Sequence, residues 1–272
     1  SPSRNGITRN LVKNMSENLK RLIKDMINKG MEEARSPQDW LRAAQLHLRK
    51  PDYPGLGLDR CRPIGISHVL QMLFEKIISS RLSTIIWDHA LITPIQSGFR
   101  RDGGALDVQA ILKSYIEDAY ERDQPLHLVS TDISNAFNSP QHWLIKAAMD
   151  RLRLPPLLNE LIMQWHTETK IEILTGFRDG FTTAFTPEAG MVQGRPISTL
   201  LWDIVYDTLL GELSEVAHIY GLKPGTPGHA IADDLTLVAR FGVGASELLT
   251  VLHRWCKNTG ITLNMSKTAY SV

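Results

Sequence analysis

Two cysteines, Cys61 and Cys256, are too few in a chain of 272 residues for a disulfide framework. Such sparse usage points to a reducing, intracellular compartment, and neither cysteine has the neighbours of a zinc site. No apolar run approaches bilayer length, which removes a membrane-spanning helix, and no signal peptide is visible. Repeats and low-complexity tracts are missing too. Nor is there an excess of either charge: Lys+Arg 30 against Asp+Glu 29 leaves a net +1. The chain as a whole therefore carries no electrostatic footprint of nucleic-acid binding, although a local basic groove is compatible with acids gathered at a metal site. What is present is a globular composition, 43% hydrophobic and 22% charged, long enough for one large domain or two intimate ones. The chain opens Ser1-Pro2 without Met and stops at Val272 inside an expected strand, so a fragment of a longer protein is expected.

The most informative stretch runs from Gly228 to Ala239. Alternating Leu235, Thr236, Leu237 and Val238 read as a strand. The Asp233-Asp234 step between apolar runs marks a tight turn, because Asp is depleted in strands. An isolated Asp-Asp is ordinarily a solvated turn; two carboxylates fixed at a hairpin tip are also tolerable when a cation sits between them. Leu126 to Asp132 forms a second strand ending in a carboxylate, a common way to aim a metal ligand into a cleft. If Asp132 meets the aspartate pair on a neighbouring strand, three carboxylates would surround a hard cation, and magnesium suits such oxygen ligands.

Around these acids the periodicity predicts an amphipathic helix over 10–29, a short helical or strand segment after Ser36, and a loop from Lys50 to Gly55. Arg60 to Ile66 reads as a strand, and Ser67 as the cap of a helix reaching Leu82. Gln96 to Gly104 is a glycine-rich basic turn before another helix. Residues 171–185 look like a hairpin with turn chemistry at Arg178-Asp179-Gly180. Gly190 to Ser198 is a loop entering an apolar helix, and Ala245 to Thr259 is a helix capped by Gly260. Acid-bearing strands alternating with helices suggest an α+β fold, with helices packed on one face of an antiparallel sheet. Arg62, Arg100 and Arg101 stand near strand or loop ends, where the pattern equally fits ordinary surface arginines and side chains reaching for a triphosphate.

Taken together, the series resembles the reverse transcriptase domain of non-LTR (LINE-type) retrotransposons, collinearly over nearly the whole chain. Ser1 to Ile7 is similar to the segment before the first helix of that family. Arg62-Pro63-Ile64 with Phe74 to Ile78 resembles its first fingers motif, and Gln96-Ser97-Gly98-Phe99-Arg100 its second. Asp132 through Phe137 resembles palm motif A, Gln193 to Ser198 motif B, and Ala232-Asp233-Asp234 motif C. Gly260 through Asn264 with Lys267-Thr268 resembles motif D. Three positions depart from the pattern: Ile231 stands where Tyr or Phe is usual, Arg195 replaces a small residue, and Asn138 replaces an Asp. The Arg62 to Ile66 stretch is also similar to reverse transcriptases encoded by group II introns.

The resemblance implies right-hand polymerase fingers over 1–125, with the first palm elements, and a palm over 126–272, without a thumb. It implies two Mg2+ ions, replaceable by Mn2+, held by Asp132 and Asp233 with Asp234 in support, and Lys267 protonating pyrophosphate. Arg62 and Arg100 would clamp the triphosphate. Gln193 and Gly194 would admit template and incoming base, and Phe137 would exclude a 2′-hydroxyl. Lys50, Arg101 and Ile231 would lie along nucleic acid, Ile231 beside the primer end. The implied partners are an RNA template, a DNA primer, dNTPs and the rest of a polyprotein (a thumb and an endonuclease), with no membrane, in nucleus and cytoplasm. Two other readings compete: an RNA-dependent RNA polymerase, and a non-catalytic palm kept as an RNA-binding or structural module.

Overall fold

The computed structural model describes residues 7–50, 61–100, 103–175, 180–220 and 225–272. Arg101, the segment before Ile7 and most of the Arg178-Asp179-Gly180 turn lie outside them. The strands in chain order are β1 (Arg42–Arg49), β2 (Cys61–Ser67), β3 (His127–Asp132), β4 (Lys170–Ile173), β5 (Gly228–Ile231), β6 (Asp234–Ala239) and β7 (Ala269–Ser271). The helices are α1 (Arg9–Lys13), α2 (Glu17–Glu32), α3 (Val69–Asp88), α4 (Ala105–Glu121), α5 (His142–Arg151), α6 (Pro156–Thr167), α7 (Ser198–Tyr220) and α8 (Gly242–Thr259). No helix of the described residues is long and apolar enough to cross a membrane. Two compact units result, each discontinuous in sequence: Ser1–Leu82 with Met149–Ser198, and Ser83–Ala148 with Thr199–Val272. Compactness thus groups the chain along a different line from the motif-based division at residue 125.

In the first unit the helix expected over 10–29 is two. Asn14 ends α1 and turns its Nδ2 back onto the Asn10 carbonyl at 3.0 Å. Ser16 restarts the helix by accepting the Leu19 N–H on Oγ. Short polar side chains compete for backbone groups in this way, and periodicity alone does not register it. The segment after Ser36 is a 3₁₀ turn over Gln38–Trp40 followed by β1. β1 pairs antiparallel with β2 and parallel with β4, giving the order β2-β1-β4. The β4 hairpin closes as expected, with Ile171 bridging Phe185 and Leu174 bridging Phe181. Ser67 is the last residue of β2 and not a cap; His68 Nδ1 accepts the Leu70 N–H at 3.1 Å instead. α6 was not anticipated, although Pro156 at its first turn is a standard start signal. Its Trp165, fully buried, meets Phe74 edge-on at 5.3 Å.

The second unit is built on an antiparallel sheet of order β5-β6-β3-β7. Alternation gives its two faces different chemistry. Val129, Thr131, Leu235 and Leu237 share one face and are buried to 2% exposure or less. α8 packs on β3 and β6, bringing Gly244 against Ala239 on that same face. Leu128, Ser130, Asp132, Asp234, Thr236 and Val238 share the other face. α4 packs on β5, and its Tyr115 meets Leu126 and Val238 on this face. The acids therefore sit at the end of a polar row, opposite a dry face.

Candidate active site

Pairing between β3 and β6 sets Asp132 directly opposite Asp234. Asp233 lies in the two-residue turn between β5 and β6, beside Ala232. Ala232 holds φ at +57°, a conformation costly for a residue with a Cβ. Asp132 is 8% exposed, and its Oδ2 accepts from Asn264 Nδ2 at 2.9 Å and pairs with Lys267 Nζ at 3.1 Å. The Asn264 amide also donates to the Asp132 carbonyl at 2.8 Å, so the segment after Gly260 is tied to the strand end by backbone and side chain alike. Burial raises the Asp233 carboxyl above its ordinary range; the charges of Asp234 and Asp132 push the same way, and Lys267 pulls back. Asp234 is likewise raised, first by burial and then by the charge of Asp132.

Two or three carboxylates held against their own repulsion are a donor set for a cation. Among the described residues no three such side chains converge closely enough to ligate one ion. The expected cage is instead a row of facing acids. That arrangement still fits magnesium, which takes one or two protein carboxylates and completes its shell with water and phosphate oxygens.

Aromatic rings adjoin the acids. Phe137 is half-buried, its ring 6.1 Å from Phe99 in an edge-on contact and 6.0 Å from Trp202. Trp202 stacks on Tyr206 at 5.1 Å and donates its indole N–H to the Ala232 carbonyl at 2.9 Å. Arg100 lays its guanidinium over the Trp87 ring at 4.3 Å and donates to the Pro94 carbonyl. Its charge also reaches Asp203 on α7. Ile231 closes β5 opposite Asp234.

The remaining expected site residues belong to the first unit. Arg62 is an exposed residue of β2 opposite Leu48, and Lys50 follows the end of β1. Gln193 bridges Ile64 in parallel, its carbonyl accepting from the Gly65 amide at 2.8 Å. Gly194 adopts φ +94°, open to glycine without penalty. Arg195 is buried: its Nε donates to Glu75 Oε1 at 2.8 Å and its Nη1 to the Trp165 carbonyl at 2.8 Å and Thr169 Oγ1 at 3.1 Å.

Sequence reasoning assigned no role to Trp202, Asn264, Gln96 or Asp203. Trp202 and Asp203 are hidden in the apolar run of α7. Gln96 and Asn264 were within recognised motifs, but the atoms they bond are set only by tertiary pairing.

Comparisons with known proteins bear on the chain's family and fold. A family model for reverse transcriptase (RNA-dependent DNA polymerase) matches residues 48–272. The chain is 29% identical over 208 residues to a retrovirus-related Pol polyprotein from type-1 retrotransposable element R2 of Popillia japonica, covering 76% of this chain and 29% of that protein. It is 31% identical over 212 residues to the Pol polyprotein from type-2 retrotransposable element R2DM of Drosophila melanogaster, covering 76% of this chain and 19% of the relative. The chain thus spans less than a third of these relatives' length. In fold it resembles apo telomerase from Candida tropicalis truncated from its C-terminal domain, with a TM-score of 0.64 at 10% identity over 100% of this chain and 58% of the telomerase. The chain belongs to the reverse transcriptase (RNA-dependent DNA polymerase) family.

Proposed function

We propose that this chain is the polymerase core of a non-LTR retrotransposon protein, extending a DNA primer 3′-hydroxyl with dNTPs along an RNA template. The observation that carries this reading is the facing of Asp132 and Asp234 beside Asp233 in a chain of this family. Asp132 and Asp233, supported by Asp234, would hold two Mg2+ ions, with Mn2+ as a substitute. When bound, such ions lower the pKa of an attacking hydroxyl and neutralise a leaving pyrophosphate.

The chain's own residues supply the rest. Lys267 keeps its ammonium at the acid row through Asp132 and is the proton donor to pyrophosphate. Phe137 is a firm wall for the sugar, fixed between Phe99 and Trp202. Arg62 and Arg100 bind triphosphate oxygens, Arg100 by leaving the Trp87 ring. Gly194 allows close approach of template and incoming base. Lys50, Arg101 and Ile231 line the nucleic acid. The rest of the polyprotein, including thumb and endonuclease, would complete the grip on the duplex, in the reducing interior of a cell.

Primer extension on an RNA template tests this directly, with and without Mg2+ and with dNTPs or NTPs supplied separately. Metal-dependent dNTP incorporation is expected. Incorporation of NTPs alone would instead assign an RNA-copying RNA polymerase. Template binding with no incorporation of either would leave an RNA-binding module.

A further inference from the structure

The turn carrying Asp233 is gripped by a side chain that the chemistry above does not use. Gln96 is 1% exposed and closes two hydrogen bonds on one residue of that turn. Its Oε1 accepts the Ala232 N–H at 2.9 Å, and its Nε2 donates to the Ala232 carbonyl at 2.9 Å. The same Oε1 accepts the Gly98 N–H at 2.8 Å. Around it the backbone forms a short extra strand on β5: Ala230 donates to the Ile95 carbonyl at 3.0 Å and Ser97 to the Ala230 carbonyl at 2.8 Å. Gly98 comes so near that a Cβ there would stand 2.3 Å from the Ala232 nitrogen.

These contacts meet at the one strained residue of the turn. Ala232 at φ +57° relaxes to a negative φ unless its surroundings over-determine it. A rotation there swings the adjoining Asp233 carboxylate away from Asp132 and Asp234. A carboxamide bonding both the N–H and the C=O of Ala232 fixes that peptide orientation, as a backbone partner in a ladder would. Trp202 holds only the carbonyl side.

We propose that Gln96 is a positioning residue that locks Ala232 in its left-handed conformation and thereby sets the Asp233 carboxylate for metal binding. The inference rests on the polymerase reading above. Its test uses the purified chain and reads Mn2+ binding by electron paramagnetic resonance alongside steady-state extension. Gln96→Met keeps the length of the side chain and removes both hydrogen bonds. The Mn2+ dissociation constant should rise at least fivefold, and kcat should fall about tenfold or more while KM for dNTP stays within about twofold. Adding Ala232→Gly should recover most of both losses, because glycine enters this φ without the penalty an L residue meets, equivalent to about 5- to 30-fold. A role in stability alone would lower the melting temperature without moving the Mn2+ constant, and the glycine would rescue nothing; either result overturns the assignment. Should Gln96→Met not fold, Gln96→Asn withdraws the same carboxamide by one methylene and is read the same way, wild-type Mn2+ affinity overturning the proposal. Absence of Mn2+ binding and extension in the unaltered chain would overturn the polymerase reading together with this one. Normal values in both the unaltered chain and Gln96→Met would overturn this one alone.

Discussion

Asp132 and Asp234 face each other across the β3–β6 pairing, directly opposite cross-strand neighbours on one face of the sheet. With Asp233 in the adjoining turn, the cation-free protein carries local repulsion, relieved in part by Lys267. Asp233 has a raised pKa in the fold, so the folded state holds its proton more tightly than the unfolded chain. The stability this gives is full below the ordinary carboxylate range and declines as pH rises through the higher folded value. Asp233→Asn should therefore melt at the same temperature as the parent or slightly higher at neutral pH without metal, and show a flatter dependence of melting on pH. The same variant should lose extension by about 10³-fold or more, the loss of several kcal/mol of charge stabilisation. Robust extension by the purified variant would refute the metal assignment.

Lys267 is tied to Asp132 Oδ2 at 3.1 Å and is more than half exposed, so water reaches its ammonium and a substrate phosphate can compete for it. Lys267→Ala should slow the maximal rate of incorporation by about 10²–10⁴-fold, the range for general-acid help, with nucleotide affinity little altered. Affinity for Mn2+ should rise modestly, since a competing cation has been removed from Asp132. Pre-steady-state kinetics decide the matter: an unchanged maximal rate with much weaker nucleotide binding would make Lys267 a phosphate clamp.

Arg195 was legible in sequence only as a departure from its motif; its partners come from two distant segments of the first unit, Glu75 on α3 and the stretch from Trp165 to Thr169. Glu75 Oε1 takes its guanidinium and also the Gln71 amide at 2.9 Å, wholly out of water. Arg195→Met should destabilise the protein by about 3–5 kcal/mol, because it strands a buried carboxylate. Adding Glu75→Gln to that variant should restore much of the loss by removing the charge. Chemical denaturation of the parent, the single and the double variant supplies the cycle, and an additive further loss in the double would contradict the account.

The strand pattern and the acids were readable because a period of two and a terminal carboxylate are local signals. The sequence offered a meeting of Asp132 with the Asp233-Asp234 pair only as a condition on strand order; the register that sets Asp132 opposite Asp234, and the dry face shared by Val129 and Leu237, come from the pairing of β3 with β6. The break at Asn14 to Ser16, the cap at His68 and helix α6 were not read, since each turns on one side chain competing for a backbone group or on a stretch without strong alternation. Within the site, Phe137 was singled out by the resemblance of Asp132 through Phe137 to palm motif A. Its neighbours Phe99 and Trp202, and the Gln96 grip on Ala232, join segments more than thirty residues apart, and no local period encodes them.

Asp203 is a carboxylate in the interior of α7, 1% exposed, with its pKa raised to about 8 chiefly by burial; the Arg100 charge opposes the rise and Asp207 adds to it. Asp207 is already committed to the Thr93 amide at 2.6 Å. Since the folded pKa of Asp203 lies above the unfolded one, its contribution is fully present below about pH 4 and is lost as pH rises towards 8. Asp203→Asn keeps the shape and cannot ionise. Its stability relative to the parent should improve steadily from pH 5 to pH 9, by about 2 kcal/mol or more at the upper end, at 1.36 kcal/mol per tenfold change in proton affinity. Melting curves across that range check it, and a constant difference between the two proteins would contradict the raised pKa.

Phe137 follows Asp132 by five positions, across a turn whose Asn135 holds φ +52°, and its ring lies against Trp202, whose indole N–H bonds the Ala232 carbonyl beside Asp233. Phe99 meets it edge-on and Trp202 lies tilted beside it, so the ring is restrained by two other aromatics and by its own two torsions. A nucleotide bound at Asp132 would present its sugar to this wall. The extra hydroxyl of a ribose against a fixed ring costs about 1–3 kcal/mol, roughly 5- to 150-fold in discrimination. Phe137→Val should open that space and raise ribonucleotide use by a factor in this range, with dNTP use reduced only modestly. If Phe137 serves only to pack against Trp202, the same change leaves a cavity, costs about 3 kcal/mol of stability, and leaves the sugar preference as it was. The two accounts separate when the dNTP-to-rNTP ratio of kcat/KM is measured for both proteins beside their melting temperatures. A ratio that stays constant while the melting temperature falls would assign Phe137 to the core and leave sugar selection to another residue.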